Sequence, residues 1–498
     1  MRINESGGRR YLQVVESYRN EAGKPRHRVV ANLGRIDGMF SFSLVDLERG
    51  KIFLVRDHFG IKPLYYGAVN DHFFWCSELK AAKHFIGSSA LTIDKTALYD
   101  FLTYRYIPAP KTLYRECHKV EPAHYVELDF NRLQPRLQRY WKLPVSEDGP
   151  ASVSEAAEHL RTLVSKKVGS HLVSDVPLGC FLSGGVDSSI LVVEASNRLE
   201  KLDTFTIGYD CEYGYDAAFS ELAASSFGTN HHRRVVNSSM LEGMFEHLEA
   251  LYDEPFADTS ALPTYHVSSL ARKKVAAVLT GDGADELFGG YRWYERFARF
   301  RRAQEVFRRW GRHGPRAALG AGRTGLSRRL LSRFDLWSRF DPLELYVSLL
   351  AGYIGVEKQS YRAELEIDFD YDDMWHFRRY YRSELPVRKR MQYLDFHTYL
   401  PDDILTKVDR ASMAVSLEAR VPFLSRELAE FAFGLSESVL YAGGHLKGLL
   451  KYSYSDQLPA SIVNREKQGF SIPIHQWDRT LKEDVRTVQR QILERYKC

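Results

Sequence analysis

The run Phe181-Leu182-Ser183-Gly184-Gly185-Val186-Asp187-Ser188-Ser189 constrains this chain more than any other stretch, because it joins an apolar strand to a helix through small residues. Pro177 to Leu182 reads as a short buried strand, and Ile190 to Leu199 carries the apolar spacing of the helix that follows. Gly184 and Gly185 admit backbone angles that bulkier residues resist, so amide N–H groups can converge on an anion at the positive end of that helix. Ser183, Ser188 and Ser189 add hydroxyl donors. A loop of this kind binds phosphate.

The Gly-Lys-Ser/Thr ending of the Walker loop is missing, and Asp187 stands inside the loop instead. A carboxylate beside bound phosphates is repulsive unless Mg²⁺ lies between them, so the loop points to a magnesium pyrophosphate. Ser183-Gly184-Gly185-Val186-Asp187-Ser188 resembles the pyrophosphate loop of the N-type ATP pyrophosphatases. That resemblance implies cleavage of ATP to AMP and pyrophosphate, with AMP activating a carboxylate, a carbonyl or an RNA base. A glycine-serine turn without a ligand is the competing reading, and the strand-loop-helix context disfavours it.

At 498 residues the chain exceeds one ordinary core, and two to three domains are expected. No uncharged apolar run approaches the ~20 residues that cross a membrane, and the opening residues lack a signal-peptide core, so a cytoplasmic protein with no membrane partner is expected. Cys76, Cys117, Cys180, Cys211 and Cys498 form no close-spaced pair, which argues against a disulfide framework or a zinc site. Residues 292–333 hold 13 arginines against two glutamates. Phe297, Phe300, Phe307, Trp310 and Leu330 space them as amphipathic helices, so a solvated helical face is favoured over nucleic-acid or membrane binding.

Residues 1–37 differ in texture from the rest. Tyr11 to Arg19 and Arg26 to Val30 read as two β-prone runs around a turn with Gly23 as pivot. Arg9 to Tyr18 through Ala31 to Arg35 resembles the start of insertion-sequence transposases, a leader too short for that activity. From Gly38, Met39 to Val45 and Lys51 to Asp57 alternate as strands of an antiparallel sheet. Asp57-His58-Phe59-Gly60-Ile61-Lys62-Pro63-Leu64-Tyr65-Tyr66 and Ser77-Glu78-Leu79-Lys80 resemble the second half of the glutaminase domain of asparagine synthetases. In that family a leading cysteine attacks glutamine. Here no cysteine precedes Cys76, and the segments of the glutamine pocket and oxyanion hole are missing, so loss of glutamine hydrolysis is expected. Asp57 and His58 are read as loop-packing residues. Pro144, Gly149 and Pro150 with Glu147 and Asp148 mark a linker near Leu143 to Ser152.

Beyond it, Val153 to Leu172 is helical in period, and Asp203 to Gly208, His232 to Val236 and Val275 to Gly281 read as further strands separated by helices. That alternation predicts a parallel, doubly wound sheet with its ligand at the carboxyl ends of the strands. At one such end, Thr280-Gly281-Asp282-Gly283-Ala284-Asp285-Glu286-Leu287-Phe288-Gly289-Gly290-Tyr291 gathers three carboxylates in five residues, an arrangement that calls for a cation or a helix start. With the pyrophosphate loop it resembles the asparagine synthetase signature. Asp253 to Asp258, Ser260 to Tyr265, Asp402 to Met413, Glu418 to Leu424 and Asn464 to Phe470 extend the resemblance from Gly38 to about Trp477.

The resemblance implies an α/β chain: a leader over 1–37, an incomplete antiparallel glutaminase sheet of Ntn-hydrolase type over 38–147, and a doubly wound ATP pyrophosphatase domain, adenine nucleotide α-hydrolase-like, over 153–498. It implies backbone contacts of Leu182 and Ile207 to adenine and of Thr280 and Gly281 to ribose and phosphate. It further implies a pyrophosphate cradle of Ser183, Gly184, Gly185, Asp187, Ser188 and Ser189, with Mg²⁺ held by Asp187 and Asp285. Asp282 would assist acyl-adenylate formation, and Lys467 would neutralise phosphate charge, with Lys447 a weaker second. The 402–424 segment is read as helical, with the Asp409-Arg410 and Glu418-Arg420 charges bracing the site through ion pairs. Expected partners are aspartate, ATP and ammonia, glutamine serving in intact relatives, and a homodimer is compatible. A related enzyme acting on another carboxylic acid and a non-catalytic remnant are the alternatives.

Overall fold

The computed structural model describes residues 2–6, 9–19, 25–35, 38–70, 72–130, 132, 134–210, 215–241, 243–310, 341–350, 352–353, 355–466 and 485–496. The leader forms its own antiparallel sheet from β1 (Arg2–Ser6), β2 (Arg9–Arg19) and β3 (Pro25–Arg35), one strand more than the two β-prone runs predict.

Two further antiparallel sheets follow. β4 (Ser41–Asp46), β5 (Lys51–Arg56), β9 (His124–Asp129) and β10 (Arg136–Arg139) pair in the order β10-β9-β5-β4. β6 (Tyr65–Val69), β7 (His72–Cys76) and β8 (Cys117–Lys119) pair as β7-β6-β8. Burial alternates strictly along β9, the period of a strand with one face on a core. That core is small, with Ile52, Leu54, Leu64, Tyr66, Val120, Val126 and Leu128. Asp57 is fully buried and accepts the backbone N–H groups of Phe59, Ile61 and Lys62 at 2.9–3.0 Å, so it caps a turn as the loop-packing reading requires.

The second unit is a five-stranded, wholly parallel sheet of β11 (Leu178–Phe181), β12 (Asp203–Tyr209), β13 (Asn230–Val236), β14 (Ala277–Leu279) and β15 (Glu418–Arg420) in the order β13-β12-β11-β14-β15. The pleat sends Phe205, Ile207 and Val278 into one hydrophobic core and Cys180, Leu182 and Leu279 into another. Helices Met244–Tyr252 and Ala261–Arg272 contribute to the first core, and helices Val153–His171 and Val186–Ser196 to the second, which is the doubly wound arrangement.

One local expectation fails. The 402–424 segment is not a continuous helix: a π-turn over Leu400–Leu405 runs into helix Thr406–Met413, after which β15 closes the sheet edge. Ser416 adopts φ 58°, which breaks the helix and turns the chain into the strand. The arginine-rich stretch begins as helix Arg292–Trp310, and residues 311–340 lie outside the described residues. Among the described residues no helix is long and apolar enough to cross a membrane.

Candidate active site

β11 and β14 are neighbours with Cys180 opposite Leu279, so the loops that leave their carboxyl ends emerge side by side. Leu182 N–H donates to Phe205 O at 2.9 Å, holding the first residue of the loop against β12, on which Ile207 lies buried. Gly184 has φ 71°, and a Cβ there would sit 2.5 Å from the Phe219 and Ser220 backbone, so only glycine lets the loop pass. Gly185 caps the helix and Asp187 lies in its first turn. Ser183 Oγ and Ser188 Oγ are 3.2 Å apart, and Ser188 Oγ donates to Gly185 O at 3.1 Å. Ser189 is fully buried, and its Oγ has no hydrogen-bond partner among the described residues. Arg465 Nη1 donates to Ser183 O at 3.1 Å, tying a distant segment to the loop.

The acidic loop after β14 is anchored by Thr280 N–H, which donates to Arg420 O of β15 at 2.9 Å. Thr280 Oγ1 donates to Asp282 Oδ2 at 2.5 Å. Gly283, with φ 85°, leads into helix Ala284–Phe288, which carries Asp285 in its first turn. A Cβ on Gly281 would approach Asp187 Cβ to 3.0 Å, so the two loops are in contact.

Asp187 and Asp285 converge on one cationic atom. Lys447 Nζ binds Asp187 Oδ2 and lies 2.7 Å from Asp285 Oδ1, with only 7% of the lysine exposed. Burial works against the ammonium charge, but the two carboxylates outweigh it and push the lysine pKa above its usual value. Lys447 has φ 54°, a left-handed conformation that a non-glycine residue adopts only when its surroundings over-determine it. Two carboxylates that share one ammonium are the residues that would hold Mg²⁺, which would supply positive charge beside bound phosphates. Among the described residues no group of three or more His, Cys, Asp or Glu side chains is placed to hold a metal ion.

A second charged network adjoins the first. Lys407 Nζ donates to Asp258 Oδ2 at 2.9 Å, and Asp258 Oδ1 accepts from Ser260 N and Oγ at 2.7 and 2.6 Å. Burial opposes ionisation of Asp258, but Lys407 and these donors hold its carboxyl well below the usual range. Asp403, 1% exposed, is driven well above that range by burial and by the Asp258 charge. The charge of Asp282 also reaches Lys407, so the network meets the acidic loop.

The structure thus brings together Ser183, Gly184, Gly185, Asp187, Ser188, Ser189, Thr280, Gly281, Asp282 and Asp285, with Leu182 and Ile207 on the adjoining strands. Lys467 lies outside the described residues. Asp258, Lys407, Asp403 and Arg465 fall inside sequence motifs but receive no individual role from sequence reasoning, because their partners lie far away in the chain. The expected bracing ion pairs are present. Arg420 Nε meets Glu418 Oε1 at 2.9 Å, whereas Asp409 and Arg410 find partners in the antiparallel unit.

Fold and site together define a nucleotide-binding α/β ligase joined to an amidotransferase-type antiparallel unit. The asparagine synthase family pattern matches residues 159–495, a glutamine amidotransferase domain matches 27–141, and the N-terminal domain of IS1634 family transposases matches 1–41. Asparagine synthetase (glutamine-hydrolyzing) 1 of Bacillus subtilis (strain 168) is 30% identical over 476 residues, covering 94% of this chain and 72% of that protein. Asparagine synthetase (glutamine-hydrolyzing) 3 of the same organism is 26% identical over 502 residues, covering 92% of this chain and 72% of that protein. The chain belongs to the asparagine synthase family of carbon–nitrogen ligases.

Proposed function

We propose that this chain makes asparagine from aspartate, MgATP and ammonia through a β-aspartyl-AMP intermediate. The observation that carries this reading is the convergence of Asp187 and Asp285, from adjacent strand ends, on one cationic position beside the glycine-serine loop. A carboxylate resists attack by an amine at neutral pH, so adenylation must come first. The loop Ser183 to Ser189 cradles the departing pyrophosphate, backbone groups of Leu182 and Ile207 hold the adenine, and Thr280 and Gly281 flank ribose and phosphate. Asp187 and Asp285 hold Mg²⁺, which when bound neutralises charge on the phosphates. Asp282 assists formation of the acyl-adenylate. Lys467 supplies positive charge to the phosphates, with Lys447 the weaker second candidate.

The domain reading that goes with it is a leader over 1–37, an amidotransferase remnant over 38–147 and the synthetase domain over 153–498. Ammonia rather than glutamine is the nitrogen source. Glutamine hydrolysis by this family's route needs a thiolate. Burial raises the thiol pKa of Cys76, and pushes those of Cys117 and Cys180 up to about 12, so none of these is a thiolate at neutral pH. Cys211 and Cys498 lie outside the described residues. The transposase-like match over residues 1–41 also occupies sequence ahead of β4.

Pyrophosphate and asparagine formation from MgATP and aspartate, measured in parallel with ammonium and with glutamine, tests the reading. Product with ammonium alone is expected. Product from glutamine would overturn the nitrogen assignment, and pyrophosphate release with a different carboxylic acid but not aspartate would overturn the substrate.

A further inference from the structure

Some of the charged contacts by which the antiparallel unit grips the synthetase unit fall on two elements, helix Thr406–Met413 and the loop after helix Met244–Tyr252, while others, such as Arg379 with Glu121 and Lys95 with Glu366, lie elsewhere. On the helix, Lys62 Nζ donates to Asp409 Oδ1 at 2.9 Å. Arg410, 4% exposed, reaches Glu78 Oε1 at 3.4 Å and donates to Tyr65 Oη at 3.3 Å. On the loop, Lys119 Nζ lies 2.9 Å from Glu254 Oε2, and Leu113 N–H donates to Glu254 Oε1 at 2.8 Å. Lys80 N–H donates to Asp253 Oδ2 at 3.2 Å, and Ala257 N–H donates to Arg105 O at 2.9 Å. Asp253 itself has φ 63°, a backbone conformation that is strained at a non-glycine residue and persists only where contacts enforce it.

The same two elements carry Lys407 and Asp258, whose ion pair borders Asp282. Lys407 is two residues from Asp409 on one helical turn, and Asp258 is four residues beyond Glu254 in one loop. Arg410 Nη2 also lies 4.0 Å from Asp253 Oδ2, so the outer ends of helix and loop are clasped to each other as well as to the antiparallel unit. The polar contacts that hold the pyrophosphate loop differ, coming from β12, Arg465 and Lys447 within the synthetase unit, while Phe59 and Ile61 of the antiparallel unit share the apolar core that includes Leu182 and Val186.

We propose that the amidotransferase-type unit serves this chain as a non-catalytic buttress: Lys62, Glu78 and Lys119 are positioning residues that hold the Lys407–Asp258 side of the site, where the acid and nitrogen substrates meet, and leave the nucleotide side alone. A sheet without glutaminase chemistry is therefore required for amide formation. The assignment of substrates to the two sides rests on the function proposed above, whereas the mechanical coupling stands on the contacts themselves.

The test uses the full-length chain with Lys62→Met and Glu78→Gln combined, and a charge-swapped pair, Lys62→Glu with Asp409→Lys, as the rescue. The first readout is hydrogen exchange. The double variant is expected to exchange at least tenfold faster in 406–413 and 253–258 with no change in 186–196, and the charge-swapped pair to restore protection in 406–413. The second readout is pyrophosphate release, with KM for the acid raised about tenfold, KM for ATP within twofold of wild type, and the acid KM recovered in the swapped pair. Unchanged exchange in 406–413 and 253–258 overturns the buttress. So does an ATP KM that rises as far as the acid KM. A wild-type protein that releases no pyrophosphate with aspartate sinks the proposed function instead, and the exchange measurement then decides the buttress alone.

Discussion

Lys407 Nζ and Asp258 Oδ2 stand 2.9 Å apart in a buried pair that joins the helix after the π-turn to the loop after helix Met244–Tyr252. Breaking such a pair from one side leaves a buried charge uncompensated and costs about 3–5 kcal/mol. Asp258→Asn is therefore expected to lower Tm markedly at pH 7. The carboxyl is held below its usual pKa, so its contribution is present above the ordinary carboxylate range and is lost as pH falls toward the folded value. The Tm gap between wild type and variant should narrow progressively below about pH 4. A gap that widens in acid would contradict the pairing.

Lys447 shows how a cationic side chain and a metal can compete for one position. Its ammonium group bridges Asp187 and Asp285, and in Lys447→Met the two carboxylates face each other with that ammonium removed. Mg²⁺ added without nucleotide should then raise the Tm of the variant more than that of wild type, because mass action stabilises whichever form binds the ion more tightly. Pyrophosphate release should fall by about a hundredfold or more, the scale of losing one preorganised electrostatic contact. Equal Mg²⁺ responses in the two proteins would show that the carboxylates do not form one cation site.

Much of this architecture is legible in sequence because it is local. The strand at Asp203 to Gly208, the helix from Val153 and the glycine at 184 each announce themselves within a few residues through apolar spacing or backbone demand. β15 does not, since it is three residues long and its register comes from β14, about 140 residues earlier. Its apolar neighbours Val415 and Leu417 extend the pattern of the preceding helix, so periodicity runs straight through the break. Lys447 reads only as a weaker second candidate for a related reason. A lone lysine has no pattern, and its partner Asp187 lies 260 positions away. Asp409 and Arg410 read correctly as bracing charges, but their partners Lys62 and Glu78 belong to another unit, which no local signal discloses.

Gly290 makes a steric prediction independent of charge. A Cβ at this position would lie 1.8 Å from Asp285 Oδ1 and 2.2 Å from Lys447 Cε, so alanine must displace the carboxylate, the lysine or both. Gly290→Ala should cut pyrophosphate release at least tenfold while the far-ultraviolet circular dichroism stays that of wild type. Both atoms that must move are ends of side chains, so local rearrangement costs about 1–3 kcal/mol, the usual range for overpacking, and the fold survives. Wild-type turnover in this variant would mean that the Asp285–Lys447 geometry is not needed for the reaction.

Asp395 offers the clearest titration within the fold. It is fully buried in helix Val387–His397, accepts Tyr346 Oη at 2.5 Å and Trp293 Nε1 at 3.0 Å, and is nonetheless raised to about 6 because burial outweighs its donors. Between the ordinary carboxylate value and about 6, the folded protein keeps a proton that the unfolded chain has released. Stability from this group is therefore present at low pH and declines as pH rises through that window, by about 3 kcal/mol at most. Asparagine keeps the shape and one acceptor oxygen but does not ionise. The Tm of Asp395→Asn minus that of wild type should accordingly rise between pH 4 and pH 7, whatever constant offset the altered hydrogen bonding adds. A difference that stays flat or falls across that range would show that Asp395 is already ionised in the folded protein at pH 4.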